Sequence, residues 1–149
     1  MVAAVNWEAA PAGTQVLSTE LNSLANNTIS AASSAYDNSA NLDVYAWFEL
    51  NVTFGTNPSD TPPMVDLYIA RSLDGTNYES APVTGGGGQQ HMFVGSFQVL
   101  ANTSAQRITL GPVLLPPCAV KFYLDNQTGQ TMAASGNTLH VYPNNLESQ

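Results

Sequence analysis

Positive charge is nearly absent from this chain. Its 149 residues hold three basic side chains, Arg71, Arg107 and Lys121, against eleven acidic ones, a formal net charge of −8. Binding to a phosphate backbone needs clustered Lys and Arg to displace counterions, so nucleic acid is not an expected partner. The same shortage argues against docking on an anionic membrane surface. No run approaches the roughly 18 consecutive apolar residues of a membrane span. Charge of either sign is scarce, at 9% of residues against about 25% in an average domain. The single Cys118 cannot form an internal disulfide. The opening Met-Val-Ala-Ala-Val-Asn-Trp-Glu lacks the basic and long apolar regions of a signal peptide, so synthesis and folding in the cytoplasm are expected.

What is present is an ordinary apolar fraction, 44%, with aromatics spread along the chain, and Ser, Thr, Asn and Gln at about a third of all residues. One globular domain with a real core follows. A surface rich in uncharged polar groups and poor in Lys suits a protein that assembles inside a cell and works outside it, as a virion component does.

Period-two alternation dominates. Across residues 42–54, Leu42, Val44, Ala46, Phe48, Leu50, Val52 and Phe54 share one parity, and Asp43, Tyr45, Trp47, Glu49, Asn51 and Thr53 the other. This predicts a strand about 40 Å long with one buried face. Further strands are expected over 64–72, around Phe93, Gly95, Phe97 and Val99, and around Ile108 and Leu110. Val120, Phe122 and Leu124, then Leu139 and Val141, mark two more, and weaker candidates cover 14–17 and 28–36. Residues 18–24 can close one helical turn with Ser18 as N-cap, and Asp74-Gly75 favours a tight turn. About eight strands without a long helix predict an all-β fold, an antiparallel β-sandwich of the jelly-roll type. The expected organisation is an arm over 1–12, the sandwich over 13–143 and a polar tail over 144–149. A second adaptable segment is the glycine run Gly85, Gly86, Gly87 and Gly88.

Catalytic chemistry finds no footing. His91 and His140 are the only imidazoles and have no ligand cluster at metal spacing, so no metal is expected and a solvent or interface histidine is the plainer reading. Cys118 has only Lys121 nearby in sequence and reads as a packed thiol. No Gly-x-Ser-x-Gly elbow occurs, and the carboxylates are dispersed. Asp74-Gly-Thr-Asn77 lacks the donor series of a calcium loop and reads as a turn. Asn-x-Ser/Thr triplets occur at Asn26, Asn51, Asn102 and Asn126; about two or three would arise by accident in so Asn-rich a chain, and without a signal peptide they carry little weight. No catalytic residue and no cofactor is expected. The polar parity carries more: Tyr45 and Trp47 stand on it together, with Tyr68 on a neighbouring strand. Such aromatics stack on sugars, anchor protein interfaces or lie under the arm through Trp7; interface or arm is preferred.

The segment Val65-Asp-Leu-Tyr-Ile-Ala-Arg-Ser-Leu-Asp-Gly-Thr-Asn-Tyr78 resembles one that recurs in virion structural proteins of tailed bacteriophages. So do Ala105-Gln-Arg-Ile-Thr-Leu110 with Leu115-Pro-Pro117, Lys121-Phe-Tyr-Leu-Asp-Asn-Gln-Thr-Gly-Gln130 and Ala133-Ala-Ser-Gly-Asn-Thr-Leu139. With Asn41-Leu-Asp-Val-Tyr45, the likeness spans about 14–142. It implies a non-enzymatic jelly-roll decoration or cement protein on the capsid surface, with the major capsid protein as partner. Self-association, for instance as a trimer at a symmetry axis, is compatible with it. The alternative is a tail or fibre component that binds carbohydrate through Tyr45, Trp47 and Tyr68. The expected interface residues are Trp7, Tyr45, Trp47, Tyr68 and the glycines 85–88.

Overall fold

The computed structural model describes residues 5–7, 9, 12–84 and 89–148. Two antiparallel sheets pack face to face. Sheet I runs in the order β2 (Thr14–Leu17), β10 (Thr138–Asn144), β5 (Tyr45–Val52), β8 (Gln106–Leu114). Sheet II runs β3 (Thr28–Ile29), β9 (Ala119–Gln127), β6 (Met64–Ser72), β7 (Phe93–Gln98), with β4 (Tyr36–Asp37) also on β9. Successive strands change sheets except at the β6–β7 hairpin and the split edge β3/β4. This nested order is that of an eight-strand jelly roll. A separate ribbon pairs β1 (Val5–Trp7) with β11 (Leu146–Ser148), so the arm and tail expected as separate extensions meet each other.

The inward parities of both sheets form one core. Ala46, Phe48, Leu50 and Val52 from β5 face Val65, Leu67 and Ile69 from β6 and Val120, Phe122 and Leu124 from β9. Phe48 meets Phe122 edge to face at 5.2 Å, a favoured aromatic geometry.

Three sequence expectations need correction. The 42–54 strand is shorter: β5 has eight residues, about 26 Å at the usual rise. Leu42 and Val44 are 56% and 42% exposed, because the chain turns at Leu42, whose φ is 55°. Fully buried Asn38 holds that turn: its Nδ2 donates to the carbonyls of Asp43 and Pro116 at 2.8 and 3.1 Å, and its Oδ1 accepts from the Asp43 amide at 2.9 Å. Phe93 does not point inward. A bulge between Leu67 and Tyr68 shifts the β6–β7 register, which puts Phe93 against Tyr68 on the outer side and turns Val94 towards the core. Ser18 caps nothing; the turn is a 3-10 helix, Thr19–Leu21, in which the Glu20 carboxylate accepts from the Ser18 amide at 2.9 Å.

The Ser- and Asn-rich composition is put to use inside. Between β3 and β4 the edge cannot keep a regular ladder, so buried Ser30 and Ser33 substitute side chain for backbone. Their hydroxyls accept from the amides of Leu124 and Phe122 at 3.0 and 2.9 Å. Buried Asn126 donates to the carbonyls of Leu24 and Gln130, and buried Asn137 accepts from the Thr53 amide. Uncharged side chains fill these roles without the desolvation cost of an ion.

Candidate functional site

One end of the sandwich gathers the start of β5, the ends of β6, β8 and β10, and the start of β9. The register fixes this, with Tyr45 opposite Leu114 and Asn144, and Ser72 and Asp37 both opposite Ala119. Here Leu42, Val44, Leu73, Leu114 and Leu146 are exposed, Leu73 at 93% and Leu114 at 68%. Scattered exposed aliphatics need no explanation; here five of them are gathered at one end of the sandwich.

Its rim is acidic. Asp37 and Asp74 line a cavity of about 370 Å³ beside Leu73 and Cys118, and Asp43 and Glu79 complete the set. Hydrogen bonds from Ser39 hold the Asp37 carboxyl below its usual range. Asp74 is held well below it, foremost by bonds from Asn77, then from Thr76 and Ser72, so the 74–77 turn forms as expected, with Gly75 at φ 73°. Arg71 also reaches this end, where it donates to the His91 carbonyl at 2.8 Å and pairs with Glu79 at 3.5 Å. The apolar surface is thus bordered by carboxylates, of which Asp37 and Asp74 are held in the ionised form by neighbouring hydrogen bonds.

The outer face of sheet I continues this surface. Trp47 is 42% exposed and lies opposite Tyr142. Gly111, at φ 138°, lets β8 approach it: a Cβ there would stand 2.9 Å from the Ala46 carbonyl oxygen and 3.1 Å from the Trp47 Cα. Below Trp47, Glu49 is 7% exposed and forms an ion pair with Arg107. The Arg107 hydrogen bond pulls the Glu49 carboxyl below its usual range despite burial. His140 lies opposite Glu49, with its Nδ1 buried and without a hydrogen-bond partner.

The expected interface residues separate. Tyr45 and Trp47 share this face, and Tyr45 adjoins the apolar end. Tyr68 does not join them. It is in sheet II, 2% exposed, in a small second core with Ala70, Met92 and Tyr123. The backbone of Trp7 pairs with Leu146 in the ribbon, while its side chain and glycines 85–88 lie outside the described residues. Cys118 is buried and free. His91 is 60% exposed beside Glu79. No set of three or more His, Cys, Asp or Glu among the described residues could hold a metal ion.

Two features escaped the sequence reading. Parity places Leu42 and Val44 inside, and only the Asn38 turn puts them out. Asp66 and Asp125 look isolated, yet they lie directly opposite each other on β6 and β9. No protein-family model matches the chain, and no curated protein matches it closely enough to be a relative.

Proposed function

We propose that the chain is a non-enzymatic virion structural protein, a decoration or cement protein that binds major capsid subunits on the head of a tailed phage. The observation that carries this reading is the acid-rimmed apolar end, Leu42, Val44, Leu73, Leu114 and Leu146 with Asp37, Asp43 and Asp74 around them. The resemblance of 14–142 to phage particle proteins supplies the partner class. With a net charge of −8, a second copy would bring like charge to the rim, whereas a capsid surface with basic residues around an apolar patch complements it. Such a protein works by buried area and shape fit, bridging neighbouring subunits against internal pressure. The carbohydrate reading keeps Tyr45 and Trp47 as a platform but not Tyr68, whose ring faces the second core.

The test uses capsids assembled without this chain, to which purified protein is added back. Wild-type protein should bind. Leu114→Asp should fold with a stability within about 0.5 kcal/mol of wild type, as exposed positions allow, and should lose most of its binding. Equal occupancy by Leu114→Asp overturns the assignment of this end. Loss of glycan binding on Trp47→Ala, with capsid binding absent, would favour the tail reading. Self-association of free protein through the apolar end would count against the capsid as its occupant.

A further inference from the structure

The joint between β10 and β11 is a single residue, Asn145, and it is tied to the turn that exposes Leu42 and Val44. Its Oδ1 accepts from the Val44 amide at 2.8 Å, and its Nδ2 donates to Asp43 Oδ1 at 2.9 Å. Asp43 is itself fixed by Asn38, which bonds both its backbone amide and its carbonyl. Three side chains thus interlock in series. Asn38 holds the backbone of Asp43, the Asp43 carboxylate holds Asn145, and Asn145 holds the backbone of Val44. The last two contacts join positions 102 and 101 residues apart in sequence.

The ribbon beyond the joint needs such a tie. β1 and β11 form a sheet of their own, and a lone two-stranded ribbon is marginal in water. It prolongs the edge of sheet I. β2 pairs with β10 as far as Thr14 opposite Val141, and the pairing resumes with Trp7 opposite Leu146. At the break, Gly13 lies against the Tyr142 ring; a Cβ there would stand 2.4 Å from its Cε1 and Cζ, so glycine lets the chain pass this close. On the other side β5 begins at Tyr45, opposite Asn144. One step further on, the Asn145 side chain takes the Val44 amide in place of a ladder partner.

We propose that Asn145 is the positioning residue of the docking end: it latches the terminal ribbon to the 38–44 turn, so that Leu146 of the ribbon and Leu42 and Val44 of the turn meet a partner as one surface. The inference rests on the proposed docking of this end against a capsid subunit, whereas the latch itself belongs to the free chain. All three side chains are exposed, so none is held in place by the core. Without the latch the two segments reach the partner independently, and each must be ordered on contact at a cost in conformational entropy. With it, that ordering is already complete before docking.

The experiment is hydrogen exchange on the full chain, comparing wild type with Asn145→Ala, Asn145→Asp, and Asn145→Asp combined with Asp43→Asn. In Asn145→Ala, protection of the Val44 amide and over 5–7 and 146–148 should fall by about tenfold, the effect of two partly exposed hydrogen bonds. The core segments 65–70 and 120–124 should keep theirs. Asn145→Asp retains an acceptor for Val44 but sets a carboxylate against Asp43, so the ribbon should loosen likewise. Adding Asp43→Asn exchanges donor and acceptor between the two positions and should restore protection. Unchanged ribbon protection in Asn145→Ala, a loss spread evenly over the core, or a double variant no better than Asn145→Asp overturns the latch. Binding of Asn145→Ala to capsids should weaken by a similar factor, and binding equal to wild type overturns the role in docking. Wild-type protein that shows the exchange pattern but binds no capsid refutes the capsid reading and leaves the latch standing.

Discussion

Replacing Asn38 by Ala tests whether this one amide organises the apolar end of the sandwich. The wild-type amide is fully buried and makes three hydrogen bonds, to the Asp43 carbonyl, the Pro116 carbonyl and the Asp43 amide. Each such bond contributes about 1 kcal/mol net, and the backbone groups left behind add a desolvation cost where water cannot reach them. The expected loss is therefore roughly 3–4 kcal/mol. For a chain of this size, 1 kcal/mol moves Tm by about 2–4 °C, so melting should fall by roughly 10 °C. Calorimetry and urea titration measure it directly. Because Asn38 also fixes the turn that exposes Leu42 and Val44, the proposed capsid binding should weaken as well in the still-folded variant well below its melting point. A loss below about 1 kcal/mol, the size of a single bond, would refute the reasoning that this amide organises the end.

Further predictions concern other parts of the sandwich. Ser33→Ala removes the acceptor of the buried Phe122 amide and should cost about 1–3 kcal/mol in urea unfolding, since that group is left unpaired. Gly111→Ala places a Cβ 2.9 Å from the Ala46 carbonyl at φ 138°; it should destabilise by more than about 1 kcal/mol and change Trp47 fluorescence. Glu49→Gln should be less stable than wild type at neutral pH. The folded-state pKa of Glu49 lies below its ordinary value of 4.5, so its contribution is complete above that value and fades as the pH drops through the folded pKa. The two melting curves should therefore converge in acid.

Much of the fold is legible in the sequence because a sandwich writes period two into its strands. The β6 bounds, the Ala46–Phe48–Leu50–Val52 face, the β9 and β10 cores and the turn at Asp74 all follow from alternation and turn chemistry. What fails does so for tertiary reasons. Parity cannot see the Asn38 amide that holds back the start of β5 to Tyr45, nor the bulge that reverses Phe93. It also assigns Tyr68 to an open face, because the sequence does not show that Met92 and its neighbours return to cover that face. The same holds for the candidate site. Tyr45 and Trp47 could be found from their parity, but the apolar end is assembled from five separate segments. The facing of Asp66 and Asp125 depends on a register between strands more than fifty residues apart.

The central claim, a structural role on the phage head, is tested most directly by counting this chain in purified particles. Quantitative mass spectrometry against the major capsid protein should find it on heads at a stoichiometry comparable to that of the capsid subunits. Its absence from particles, or confinement to a few copies on purified tails, would contradict the account.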